Sequence, residues 1–171
     1  MGSNKERVAI VPGSFDPITE GHLNIARRAA KLYDKVYLAV MINADKSYMF
    51  TLDERRRIAE AATRDIENLT VISYEGYLYE LARELSAVAL VKGVRNETDR
   101  AYELKMAEFN SAHYSEAETV LLETESGLEG LSSTFVREKI KNGEDISRYL
   151  PPAAVSEINR ILSEKKQTSP F

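Results

Sequence analysis

Five short apolar runs alternate with amphipathic patterns along this chain, and this alternation constrains the fold more than any other feature. The runs are rich in β-branched residues and mostly lack polar alternation: Val8 to Val11, Val36 to Met41, Val71-Ile72, Val88 to Val91 and Val120 to Leu122. Strands that are covered on both faces have this composition. Because parallel strands are joined by right-handed helical crossovers, the pattern predicts an α/β fold with a Rossmann-like, doubly wound, five-stranded parallel sheet.

The segments between the runs place apolar residues at helical spacing. Helices are predicted over four of them: His22 to Tyr33, Thr51 to Asp65, Tyr77 to Leu85 and Thr98 to His113. Further helices are predicted after the S-S-T-F-V-R segment and after Leu150-Pro151-Pro152. We therefore expect one domain over residues 1–171 with C-terminal helices, and a polar tail that frays from about residue 164 to 171.

Composition narrows the chemistry. The absence of cysteine excludes disulfides, thiolate catalysis and cysteine-ligated zinc. A net charge of −4 provides no overall basic field for nucleic acid, so any anion site must be local. The sequence shows neither a long apolar run nor a cationic leader, which predicts a cytoplasmic protein that binds neither membranes nor nucleic acid.

The segment V-P-G-S-F-D-P-I-T-E-G-H, from Val11 to His22, joins the first predicted strand to the first predicted helix. It places an imidazole and free backbone N–H groups at the carboxyl edge of the sheet, where a helix N-terminus attracts phosphate. His22 can donate a hydrogen bond to a phosphoryl oxygen there, although many histidines at helix starts are simply surface residues. The segment matches neither G-x-G-x-x-G nor G-x-x-x-x-G-K-[ST], so a dinucleotide oxidoreductase and a phosphate-loop hydrolase are not supported.

Three other segments bring cations or hydroxyls to the same predicted edge. Lys92 and Arg95 flank Gly93 after the fourth strand, and Lys46 follows the second. Ser132-Ser133-Thr134 opens a helix, where hydroxyls act as caps and N–H groups bind anions. Each feature alone is typical of a solvated charge or a helix cap. Together they predict a polyphosphate site.

The chain offers no covalent nucleophile, since it has no cysteine and no serine and histidine at a suitable spacing. The pattern therefore favours a phosphoryl-type transfer that works by positioning and charge stabilisation. A divalent metal would accompany the phosphates, although no carboxylate cluster identifies its ligands. Asp16 fits the organisation of its loop better than metal binding.

These motifs resemble those of the bacterial phosphopantetheine adenylyltransferases, in the nucleotidylyltransferase superfamily with a T-x-G-H signature, here Thr19 to His22. The resemblance extends from P-G-S-F-D-P-I-T-E-G-H through Met49-Phe50-Thr51-Leu52 and K-G-V-R-N-E-T-D-R-A-Y-E to S-S-T-F-V-R and Leu150-Pro151-Pro152. It implies transfer of AMP from ATP to 4′-phosphopantetheine, with Mg²⁺, giving dephospho-coenzyme A and pyrophosphate in the penultimate step of coenzyme A synthesis. It also implies a homohexamer that coenzyme A inhibits.

The resemblance further implies residue roles. His22 would stabilise the transition state at the α-phosphate. The residues that would hold ATP are Ser14, Phe15, His22, Gly93, Val94, Arg95, Glu103, Leu128, Glu129, Gly130, Leu131, Ser132, Ser133 and Thr134. Those that would hold 4′-phosphopantetheine are Ser14, Lys46, Leu78 and Lys92.

The chain departs from the family pattern at four of its positions. Ser14 stands where threonine is usual, which loses the methyl group that restricts the rotamer. Lys92 stands where arginine is usual and replaces a bidentate fork by a point charge, so the acceptor phosphate would be bound more weakly or seated differently. Phe109 replaces a common methionine in the acceptor pocket and Leu128 a common aromatic residue in the ATP loop, changes that bear on affinity more than on reaction class.

Three other functions stay open. A sister nucleotidyltransferase, such as a nicotinamide-mononucleotide adenylyltransferase or a cytidylyltransferase, would share the G-H and S-S-T loops but differ between Lys92 and Glu103. A nucleotide-binding sensor would hold ATP without turnover and tolerate loss of His22, but it gives no reason for Lys46 and Lys92. A tRNA synthetase fragment would carry a K-M-S-K-S-like loop and a more basic surface, and the sequence shows neither.

Overall fold

The structure, a computed structural model, describes residues 2–168, which form five strands and six helices. The strands are β1 (Val8–Gly13), β2 (Lys35–Met41), β3 (Leu69–Tyr74), β4 (Ala89–Val94) and β5 (Glu118–Glu123). The helices are α1 (Glu20–Leu32), α2 (Leu52–Ala62), α3 (Leu78–Glu84), α4 (Glu97–His113), α5 (Ser133–Lys141) and α6 (Pro152–Thr168). Strands and helices alternate up to α5, which confirms the predicted α/β class.

The strands form one parallel sheet in the order β3-β2-β1-β4-β5. In the centre, Val11 of β1 aligns with Leu38 of β2, and Ile10 aligns with Leu90 of β4. From β1 the chain winds outward through β2 to β3, and then on the other side through β4 to β5. The winding direction therefore changes between β1 and β4, and ligands bind at the carboxyl ends of strands at such a switch point.

Both faces of the sheet are covered by helices, as the unalternated apolar runs predicted. Ala9 and Val11 of β1 belong to the larger core, which includes residues of α1, α2, α5 and α6. Val8 and Ile10 belong to the second core, which includes residues of α3. Successive side chains of a strand point to opposite faces, so a central strand needs apolar residues at every position.

The beginning of α2 agrees with the sequence and its end does not. Thr51 and Glu54 form the predicted capping box, in which Glu54 N–H donates to Thr51 Oγ1 at 3.2 Å and Thr51 N–H donates to Glu54 Oε2 at 2.8 Å. The helix ends at Ala62 instead of continuing to residue 65. Its end is closed by Thr63, whose hydroxyl donates to the Ala59 carbonyl at 2.8 Å.

The other predicted elements differ by one or two residues at their ends, and two further differences concern the site and the C-terminal tail. β4 continues to Val94, because Gly93 and Val94 align with Leu122 and Glu123 of β5, so Lys92 and Gly93 lie in a strand instead of a loop. Residues 164–168, which were expected to fray, lie in α6, where Lys165 pairs with a carboxylate of α2. Residues 169–171 of the predicted tail lie outside the described residues. None of the helices within residues 2–168 has the length and apolar character needed to cross a membrane.

Candidate active site

A cavity of about 1180 Å³ opens along the carboxyl ends of β1, β2 and β4. Most of the predicted site residues line it: Ser14, Phe15, His22, Lys46, Leu78, Lys92, Gly93, Arg95, Glu103, Leu128, Leu131, Ser132, Ser133 and Thr134. Three predicted residues are not part of this lining. Val94 and Glu129 line a smaller pocket of about 230 Å³, and Gly130 lines neither. The fold thus brings five separate segments of the chain to one cavity.

His22 lies in the first turn of α1, and a backbone contact defines its protonation. The N–H of Thr19 donates to Nδ1 of His22 at 3.0 Å. Because an amide N–H can only donate, Nδ1 is the acceptor and the neutral ring carries its proton on Nε2. Burial, assisted by the positive charge of Arg95, lowers the pKa of His22 from 6.5 to about 4. At neutral pH the side chain is therefore an uncharged imidazole with one N–H donor.

Phe15 supports the imidazole from the β1–α1 loop. Its ring meets the His22 ring edge to face, with centroids 5.1 Å apart, and its backbone has a φ of 47°. A non-glycine residue in this left-handed region is strained and persists only where packing holds it. The ring also lies against Gly13, where a Cβ would come within 2.9 Å of it. Gly13 is therefore needed for the close approach that seats Phe15.

Asp16 organises the same loop. Its carboxylate is almost fully buried and accepts from the N–H of Met49 at 2.9 Å and of Phe50 at 3.0 Å. Arg137 of α5 donates to the Asp16 carbonyl oxygen at 2.9 Å. Each carboxylate oxygen thus accepts a backbone amide, which agrees with the structural role inferred from sequence.

Two of the three predicted cations are paired with carboxylates. Lys92 Nζ lies 2.7 Å from Glu103 Oε2, and Arg95 Nε lies 3.3 Å from Asp99 Oδ2. The Lys92 contact is short but poorly aligned, so that Glu103 Oε2 is left without a hydrogen bond. Lys46 is exposed on the loop of residues 42–50, which follows β2. A phosphate bound by Lys92 would have to share it with Glu103.

The hydroxyls at the start of α5 already have partners within the protein. Ser132 is the N-cap, and its hydroxyl accepts from the N–H of Phe135 at 3.1 Å. The hydroxyl of Ser133 donates to the Pro17 carbonyl at 2.8 Å. Thr134 Oγ1 accepts from Arg137 at 3.0 Å. The first-turn N–H groups of a helix have no partner within the helix, so the backbone here is suited to an anion even though the hydroxyls are used.

Gly93, which is predicted to hold ATP, also packs closely against α1. A Cβ at Gly93 would lie 3.0 Å from Cγ1 of Ile25, a buried residue of α1. A side chain at this position would therefore crowd the packing of α1 on β4, and any contact of Gly93 with ATP remains a prediction.

The far end of the cavity is apolar. Leu78, at the start of α3, lines it together with Tyr77, Met106 and Phe109. The rings of Tyr77 and Phe109 have centroids 5.9 Å apart, and both are substantially exposed at 57% and 39%. The cavity thus joins a polar, cationic region to an apolar one, which suits a ligand with one anionic and one apolar part.

Sequence reasoning missed two arginines that tie the loops together. Arg55 of α2 is only 1% exposed and donates to backbone carbonyls of three segments. Arg137 of α5 lines the cavity and contacts Asp16 and Thr134. Arg55 stands within the run Arg55-Arg56-Arg57, which reads as a solvated helix face. Its spacing with Ile58 and Ala62 does place it on the buried side, a signal the sequence contains.

The fold and this cavity are those of a nucleotidyltransferase domain. Residues 10–139 match the family model described as Cytidylyltransferase-like. Curated proteins named phosphopantetheine adenylyltransferase match over most of their length. The protein of Clostridium novyi is 41% identical to this chain, and the match covers 91% of this chain and 97% of the relative. The protein of Heliobacterium modesticaldum is 43% identical, with 87% of this chain and 89% of the relative covered. The protein of Streptococcus gordonii is 37% identical, with 94% of this chain and 98% of the relative covered. The chain belongs to the phosphopantetheine adenylyltransferase family.

Proposed function

We propose that this chain transfers AMP from ATP to 4′-phosphopantetheine and releases pyrophosphate, forming dephospho-coenzyme A. The family membership supports the reaction class. The observation that carries the assignment to these residues is the cavity itself, which combines an uncharged His22, cations on two different strand ends and an apolar extension at Leu78. ATP would occupy the side formed by His22, Arg95 and α5, and the acceptor the side formed by Lys46, Leu78 and Lys92.

The chemistry needs no covalent intermediate. An oxygen of the acceptor's 4′-phosphate attacks the α-phosphorus of ATP, and the bond from that phosphorus to the bridging oxygen of pyrophosphate breaks in line. The attacking phosphate is already ionised at neutral pH, so no general base has to remove a proton. His22 donates its Nε2 proton as a hydrogen bond to an α-phosphoryl oxygen, where negative charge increases in the transition state. Loss of this donor therefore lowers turnover more than binding.

Magnesium fits this site as a companion of the nucleotide. Within residues 2–168, no three or more histidine, aspartate or glutamate side chains are grouped so that they could cage a metal. Mg²⁺ commonly keeps its waters and binds through substrate phosphates with few protein ligands. The phosphates would hold the ion, and the bound ion neutralises part of their charge.

The family resemblance also supports a cytoplasmic homohexamer that coenzyme A inhibits. Light scattering should then give six times the chain mass of 19.3 kDa. Coenzyme A should lower the rate of pyrophosphate release.

The test of the proposed function is pyrophosphate release with ATP, Mg²⁺ and 4′-phosphopantetheine. Parallel reactions contain nicotinamide mononucleotide or glycerol 3-phosphate as acceptor, and CTP in place of ATP. We expect release with ATP and 4′-phosphopantetheine alone. Release with another acceptor would move the function to a sister nucleotidyltransferase, and ATP binding without release from any mixture would favour a nucleotide sensor.

A further inference from the structure

Arg55 is a buried cation that the proposed substrate contacts do not use. Its Nη1 donates to the carbonyl oxygens of Ser14 at 2.7 Å and Met41 at 3.0 Å, and its Nε donates to that of Phe50 at 3.3 Å. No carboxylate within the described part of the chain forms a salt bridge with it. Burial lowers the pKa of Arg55, yet a guanidinium stays protonated in proteins. A buried guanidinium needs acceptors for its donors, and because these acceptors are backbone carbonyls, the side chain links the backbone segments that carry them.

The three carbonyls lie in or directly beside the two loops that carry Ser14 and Lys46, two of the four predicted acceptor residues. Met41 directly precedes the 42–50 loop and Phe50 ends it, so Arg55 is bonded at both ends of the segment that carries Lys46. Ser14 lies in the β1–α1 loop. The carbonyl oxygen of Ser14 would repel a phosphate if it faced one, but it accepts a hydrogen bond from Arg55.

Tyr48 extends this support to the middle of the 42–50 loop, whose residues 42–47 are exposed. The Arg55 guanidinium carbon lies 3.9 Å from the centroid of the Tyr48 ring. The Tyr48 hydroxyl accepts from the N–H of Asn43 at 2.6 Å and donates to the Asn43 carbonyl at 3.2 Å. That carbonyl also accepts from the N–H of Lys46 at 3.1 Å. Contacts therefore run without a gap from Arg55 through Tyr48 and Asn43 to Lys46.

We propose that Arg55 and Tyr48 are positioning residues for the acceptor: they hold the 42–50 loop so that Lys46 and Ser14 meet the phosphate of 4′-phosphopantetheine together. This inference rests on the proposed function. A lysine on an unsupported loop loses conformational freedom when it binds a ligand, and a loop already held in place lowers that cost. The contribution is therefore expected in acceptor affinity and not in the chemical step.

A double-mutant cycle between Tyr48 and Lys46 tests this. Tyr48→Leu removes the ring from Arg55 and the hydroxyl from Asn43. We expect it to raise KM for 4′-phosphopantetheine about tenfold, with kcat and KM for ATP changed less than about twofold. If Tyr48 acts through Lys46, the same substitution made in Lys46→Ala adds less than about twofold, because the lysine it would position is absent.

Conservative variants and a surface control complete the test. Tyr48→Phe keeps the ring and should stay within about threefold of the unmutated KM, and Arg55→Lys should lose less acceptor affinity than Arg55→Met. Arg56→Met is the matched control, since Arg56 pairs only along the helix surface with Asp53 and Glu60 and should leave all parameters unchanged. If Arg55→Met does not fold, the double-mutant cycle between Tyr48 and Lys46 still tests the positioning role.

The outcomes separate this inference from the function it rests on. Full tenfold losses from Tyr48→Leu in both backgrounds, or equal losses in KM for ATP, would overturn the positioning role while leaving the function intact. Absence of pyrophosphate release by the unmutated chain would overturn the proposed function and this inference with it.

Discussion

The ammonium group of Lys92 lies 2.7 Å from a carboxylate oxygen of Glu103, although the first residue is predicted to hold the acceptor and the second to hold ATP. Both side chains are largely buried, at 21% and 14% exposure. The two predicted subsites therefore share one charge pair across β4 and α4. A phosphate that approaches Lys92 would meet a cation whose charge is already partly balanced, so we expect Glu103 to moderate how strongly the acceptor is held.

Lys92→Ala should weaken the acceptor far more than ATP. A hydrogen bond to a charged group contributes about 1.5 to 3 kcal/mol, so KM for 4′-phosphopantetheine should rise on the order of 10- to 100-fold. KM for ATP should change less than about threefold. Steady-state kinetics with each substrate varied in turn measures both. Glu103→Gln is the opposing control, because it removes the negative charge beside Lys92 and should not raise KM for the acceptor. An equal rise in KM for both substrates in Lys92→Ala would mean that the acceptor phosphate does not bind at Lys92.

His22→Ala should leave ATP binding nearly intact and lower kcat by roughly 100- to 1,000-fold, the cost of one donor aimed at developing charge. Calorimetric titration measures the affinity for ATP, and the pyrophosphate assay measures kcat. His22 also accepts from Thr19, so His22→Gln, which can restore that cap, controls for loss of the helix start. His113→Ala is a second control, because His113 stacks on Tyr79 and does not line the cavity. Unchanged turnover in His22→Ala would refute its assigned role.

The pKa of His22 provides a prediction that does not depend on activity. Nitrogen NMR of the imidazole should show a neutral ring protonated on Nε2 down to about pH 5 and a midpoint near 4, because burial and Arg95 disfavour the cation. The unfolded chain binds this proton near 6.5, so the stability that His22 contributes is complete above pH 6.5 and is lost as the pH falls towards 4. A titration midpoint near pH 6.5 for His22 in the folded protein would contradict the desolvation of its imidazole.

Asp16→Asn should destabilise the protein. The carboxylate accepts one amide on each oxygen, and an asparagine keeps one acceptor but turns an NH₂ towards the other amide. We expect the free energy of unfolding to fall by roughly 2 to 3 kcal/mol, the usual cost of a buried donor left without its charged acceptor. Urea denaturation measures this. Asp65→Asn, at an exposed pair with Arg27, should change stability by less than about 0.5 kcal/mol.

The elements of the fold were predictable because burial on both faces leaves a strong local signature. Val36 to Met41 and Val8 to Val11 could be read as central strands since every position is apolar. The predicted boundaries were less accurate, because capping and strand pairing decide them. α2 ends at Ala62 with Thr63 as its C-cap, and pairing with β5 extends β4 through Lys92 and Gly93.

For the site, local sequence identified ligand-type residues but not their partners. Lys92 and Glu103 are 11 positions apart and were assigned to different substrates, and only the packing of α4 beside β4 brings their charges together. The packing of Ile25 beside Gly93 was also not visible in the sequence, while the predicted contact of Gly93 with ATP stays a prediction.

By itself, the sequence determined the strand and helix order, the edge of the sheet at which function would lie, and the family, since each depends on residue type and spacing along the chain. The tertiary structure decided the neutral state of His22, the pairing of Lys92 with Glu103, and the contact of Arg55 with the Tyr48 ring. These depend on desolvation and on contacts between distant segments. Because a charge acts through its surroundings, its role is defined only when the chain has folded around it.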